Sequence, residues 1–210
     1  MERIYDAVFA VSAALEGPVV LASLLALLAV VAEAGVFTAE VVRRRGRSLE
    51  RLETAGTAAR EALADGDLPA AQRAAADVGH GEAMVEAARA LVEVSARPQP
   101  DAGVAKRLAD FDVRCERRLA RTRLLVRLGP ALGLMGTLIP LSPALEGLAR
   151  GDVATLADNL RVAFSITVLG LLVGAGAFAL SLVRERLYGQ DFSDLEYLAA
   201  LLTEPGSGPS

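Results

Sequence analysis

The segment GPALGLMGTLIPL, Gly129–Leu141, decides how this 210-residue chain folds. It holds three glycines, two prolines, one threonine and no charged side chain. In water it would be a weak helix, because an interior Gly or Pro costs about 1 or 3 kcal/mol relative to Ala. In a bilayer the backbone has no water to bond to, and neighbouring helices tolerate such residues. The run therefore reads as part of a membrane helix whose small residues have a job. Working outward, the apolar stretch extends over 124–148, and a second, VAFSITVLGLLVGAGAFALSLV, covers 162–183. A third lies upstream at 18–42. Each is long enough to cross about 30 Å of hydrocarbon.

Composition agrees. The chain is 53% hydrophobic yet 23% charged, which requires very apolar segments separated by very polar ones. The net charge of -4 is mild and argues for no acidic or basic partner. One cysteine, Cys115, excludes an intrachain disulfide framework, and with the single histidine, His80, makes a one-chain metal site improbable. No phosphate loop, nucleophile elbow or metal-ligand cluster is present. No cofactor and no enzyme activity are expected.

Arginines set the orientation. Arg43, Arg44, Arg45 and Arg47 follow the first span, an arginine-rich segment ending at Arg123 precedes the second, and Arg184 and Arg186 close the third. The positive-inside rule puts all three sites in the cytoplasm, so the N-terminus is outside and the C-terminus inside. A cleaved signal peptide is not expected, because the first apolar run is too long and its positive charge follows it. The expected organisation is an outer interfacial helix at 1–17, a span at 18–42, a cytoplasmic helical domain at 43–123, a span at 124–148, an outer loop at 149–161, a span at 162–183, and a cytoplasmic helix and tail at 184–210. Within the cytoplasmic domain Asp67 reads as a helix N-cap, and ARPQPDAG, 96–103, as a break. SDLEYLAALL, 193–202, reads as a short capped helix. The fold class is an all-α integral membrane protein.

On a helical wheel, Ala163, Thr167, Gly170, Gly174, Ala177 and Ser181 fall within about 40° of one line, at 3.6 residues per turn. Gly129, Gly133, Gly136, Pro140 and Ala144 make a similar stripe on the second span, with Thr137 on its edge. Helix packing alone explains the glycines, since small residues let helices approach closely in lipid. It explains the two hydroxyls less well. The functional alternative turns both stripes toward a shared interior, with Pro140 and Pro143 kinking the second span and freeing carbonyls toward it.

LGPALGLMGTLIPL resembles the second-span motif of the MotA/TolQ/ExbB proton channels, and AFSITVLGLLVG, 163–174, resembles their third-span motif. The three-span, N-out topology with a helical insert is similar to that of TolQ and ExbB. The resemblance implies a homo-oligomer, a pentamer, around a dimer of a single-span ExbD/TolR-like partner whose membrane aspartate carries the proton. It implies that Thr137 and Thr167 line the passage, together with Ala163, Gly133, Gly136, Gly170 and Gly174. It also implies a prokaryotic inner membrane. The second and third spans carry no mid-membrane carboxylate, which fits a carboxylate brought by a partner. Val162 stands where TolQ and ExbB have a glutamate, and Arg161 flanks it; flagellar members also lack that glutamate. The short insert disfavours a flagellar stator subunit. A passive scaffold that uses the glycines only for packing is the second alternative.

Glu33, Glu40 and Arg127 are candidate charge partners. Glu40 is expected to snorkel or pair beside the arginines at 43–45, Glu33 to play a structural or interfacial role, and Arg127 to meet lipid headgroups or an acidic neighbour. The arginine-rich segment lacks interleaved aromatics, so nucleic acid is not an expected ligand. His80, in a Gly-His-Gly turn, is expected to be an exposed loop residue, and Cys115 a bystander.

Overall fold

A computed structural model describes residues 2–44 and 48–204. Arg45, Arg47 and the tail beyond Glu204 lie outside the described residues. Those described form seven helices and no strand: α1 (Glu2–Ala14), α2 (Glu16–Arg43), α3 (Leu49–Ala64), α4 (Leu68–Ala76), α5 (Glu82–Ser95), α6 (Asp101–Ala149) and α7 (Val153–Thr203). Three helical stretches are long and apolar enough to cross a membrane, as the sequence predicts: Ala7–Val42, Asp101–Ala149 and Val153–Thr203. The chain divides into two units, and α2, α6 and α7 contribute to both.

The first unit comprises 1–35 and 120–182. Here α2 lays Ala26 and Val30 against Leu132 of α6 and Val173 and Ala177 of α7. Its other face exposes Leu21, Leu24, Leu25, Leu28 and Val31, as a lipid-facing helix should. The predicted outer loop at 149–161 is corrected: only Arg150, Gly151 and Asp152 separate α6 from α7. Gly151 takes a left-handed φ of 74°. Asp152 N–H donates to the Gly147 carbonyl at 2.8 Å and Gly151 N–H to Leu148 at 3.0 Å, the paired bonds that close a helix C-terminus. Asp152 then opens α7 by accepting from Thr155 N–H at 3.1 Å. The Thr155 hydroxyl, which also donates to Asp152 at 2.5 Å, and that N–H hold its carboxyl below the ordinary aspartate range.

The second unit comprises 36–119 and 183–210. Its core is alanine-rich where α3, α4 and α5 meet (Ala55, Ala59, Ala71, Ala75, Ala88) and leucine-rich along α7 (Leu195, Leu198, Leu202). Asp67 caps α4 through Ala70 N–H at 2.9 Å, as expected, beside Gly66 at φ 76°. The break before α6 also stands, with the helix starting at Asp101. The separate capped helix expected at 193–202 is not formed. Those residues continue α7, because its leucines extend the buried face of the preceding turns and nothing between Val183 and Thr203 stops the helix except Gly189, which costs only about 1 kcal/mol.

Candidate functional site: the seam between α6 and α7

The two small-residue stripes face each other. A Cβ added at Gly170 would lie 2.5 Å from the Gly129 carbonyl oxygen and 2.7 Å from Gly133 Cα. One at Gly129 would meet Gly170 O and Gly174 N, both at 2.6 Å. One at Gly136 would strike the Ile166 side chain, and one at Gly174 would meet Pro130 Cδ at 2.9 Å. Contacts that pair rising numbers on α6 with falling numbers on α7 make the helices antiparallel. The backbones touch, and only glycine permits this separation.

Gly133, Gly136, Gly170 and Gly174 are buried in the seam within one chain, and Ala163 is buried on α7. A wheel shows that a helix has a slim face and is silent on what that face meets. Pro140 is fully buried and Pro143 half-buried, and α6 stays a continuous helix through both and through Pro130. Proline has no N–H, so Pro140 and Pro143 leave the Gly136 and Ile139 carbonyls without their usual helical donors.

Both hydroxyls sit at the edge of the seam. Thr167 Oγ1 donates to Ala163 O at 2.9 Å on its own helix and lies 3.5 Å from Gly133 O across the seam. Thr137 Oγ1 donates to Leu134 O at 2.7 Å. At about 100° per residue, both threonines are rotated from the centre of their stripe in the same sense. In antiparallel helices that places both on the same flank. With its proton given to a backbone carbonyl, each hydroxyl offers lone pairs outward, so this flank accepts hydrogen bonds. Exposed Leu134 and Leu141 of α6 and Phe164 and Leu171 of α7 border it.

The three charge candidates part company. Glu33 is half-buried on α2 and Arg127 exposed on α6. The carboxylate of Glu40 lies 3.6 Å from Arg184 Nε of α7, and the side chains of Arg43 and Arg45, two of its expected neighbours, lie outside the described residues. Arg44 takes both oxygens of Asp191 instead, at 2.7 and 2.6 Å, and donates to Leu187 O at 3.0 Å. The sequence reading missed Asp191 and Tyr188. The signal was present, since Arg184, Tyr188, Asp191 and Leu195 continue the 4, 7, 11 spacing of the upstream stripe. His80 is half-buried and lines a cavity, contrary to expectation. Cys115 is buried in the same wall, and burial pushes its thiol up to about 11, which keeps it protonated and inert.

A family model describing the MotA/TolQ/ExbB proton channel family matches residues 82–190, from the start of α5 through most of α7. That is more than half of the chain. The chain belongs to the MotA/TolQ/ExbB proton channel family. No individual curated protein matches it. The matched region contains the whole α6–α7 seam and both threonines. Membership makes this a membrane channel protein from a family of transporters, not of enzymes.

Proposed function

We propose that this chain is the proton-channel subunit of an ion-motive-force-driven energy transducer of the TolQ/ExbB kind. It sits in a prokaryotic inner membrane, N-terminus out and C-terminus in. It assembles as a homo-oligomer, a pentamer in this reading, around a single-span ExbD/TolR-like dimer. The observation that carries the proposal is the shared flank of Thr137 and Thr167. Two acceptor hydroxyls face one side of a helix pair that otherwise lacks ionisable groups between Arg127 and Glu146 and throughout 162–183. A neutral hydroxyl cannot carry a proton through lipid by itself, but it can accept a hydrogen bond from water or from a protonated carboxyl and hold it in line. The missing carboxylate comes from the partner, which in this reading meets the threonine flank. The glycine stripe, already filled by the neighbouring helix, cannot receive it.

The test is proton flux in liposomes holding the chain and its single-span partner. Thr167→Val keeps the shape and removes the hydroxyl, and flux is expected to fall by roughly three- to tenfold, the scale of one lost hydrogen bond between neutral groups. Unchanged flux would remove the threonine from the path. The glycine-on-glycine seam favours a second reading, a passive scaffold, which predicts no flux from the wild-type complex at all.

A further inference from the structure

A cavity of about 240 Å³ opens in the second unit. Its walls come from the end of α2, the start of α5, α6 and α7. We propose that it binds a phosphoryl dianion, either a soluble phosphate monoester or the phosphate of an anionic lipid headgroup. Three independent features supply donors. Arg114 and Arg118 stand one helical turn apart on α6 and both line the cavity. Like charges at that spacing repel, and a dianion between them would relieve the repulsion. Gly81, the N-cap of α5, provides no side-chain oxygen, and Glu82 and Ala83 of the first turn line the same wall. Their N–H groups have no carbonyl partner within the helix, and the positive end of the helix dipole favours an anion there. Tyr188 completes the wall with a phenol hydrogen-bonded to Arg118.

The acidic side chains of the lining do not cancel this supply. Asp191 has both oxygens taken by Arg44, and Glu40 faces Arg184. Arg114 meets Glu86 at 2.6 Å, but both are exposed, and such a pair is worth little and exchanges easily. Arg118 bonds a neutral phenol, so its charge remains for a ligand. Glu82 is exposed and is the one carboxylate of the lining that opposes an anion. Arginine forks suit phosphate oxygens in a way that a lysine does not, and these positions are arginine.

The experiment is calorimetric titration of the full-length protein in nonionic detergent with inorganic phosphate, with glycerol 3-phosphate, and with short-chain phosphatidic acid. Saturable binding is expected to weaken roughly 10- to 100-fold in Arg118→Gln or Arg114→Gln, the effect of losing one charge-assisted hydrogen bond. Glu82→Gln is expected to strengthen it. All three side chains reach solvent, so the variants should keep the wild-type thermal melt. Binding of the soluble phosphates identifies a soluble ligand; binding of phosphatidic acid alone, with the same arginine dependence, identifies a headgroup. No saturable binding of any probe, or binding indifferent to both arginine variants, overturns the proposal.

Discussion

The seam of the first unit and the core of the second are both helix-on-helix packing, built on opposite principles. In the seam, Gly129 and Gly170 remove side chains so that backbones touch. In the second unit, leucines fill space and two ion pairs, Arg44–Asp191 and Glu40–Arg184, tie the end of α2 to α7. The difference follows from the solvent. Lipid gives no hydrophobic reward for burying a leucine between helices, so contact must come from close approach. Water rewards each buried leucine by about 1.5–3 kcal/mol, so bulk is the better choice there. One helix, α7, carries both solutions in a single stripe that runs from Ala163 through Gly170 and Ala177 to Arg184, Asp191, Leu198 and Leu202.

The sharpest way to break the comparison is at Gly170. Gly170→Ala drives a methyl into backbone atoms that cannot swing aside and should destabilise the seam by about 3 kcal/mol or more, at the upper end of overpacking costs. Gly133→Ala, whose nearest atoms lie at 3.4–3.5 Å, should be close to neutral. Thermal unfolding in detergent separates the two, and equal melting temperatures would refute the backbone-contact account.

The second unit should fail through charge. Asp191→Ala strands the mostly buried Arg44 guanidinium and should cost about 3 kcal/mol, the scale of a broken buried pair. The double variant Arg44→Met/Asp191→Leu should recover most of that loss in chemical denaturation. A double variant no better than the single would mean that the pair does more than satisfy itself.

The smallest effect belongs to the corner. Asp152→Ala removes the cap of α7 and should lower the melting temperature slightly. Because the carboxyl is held below its ordinary range, its contribution is present above the unfolded aspartate value and fades as pH falls through the lower folded value. The difference between wild type and Asp152→Ala should therefore vanish in acid, as read from melting temperatures across pH.

Much of this was legible in the residues. The three spans announce themselves by length, the cap at Asp67 by its Gly-Asp-Leu-Pro context, and the small stripes by their period. What the residues hid has physical causes. The same Gly-Asp pair at 151–152 was read as loop, because the polar residues up to Asn159 masked a helix that tertiary packing sustains. The stripes gave a face without a partner, and two slim faces satisfy each other as readily as they border a space. The α7 members of the ion pairs lie beyond Val183, where the apolar signal ends, so hydropathy does not reach Arg184, Tyr188 and Asp191.

The three-residue corner at Arg150–Asp152 bears on how the seam forms. Closing so short a connection costs little chain entropy, so the glycine faces of α6 and α7 are neighbours as soon as both helices exist.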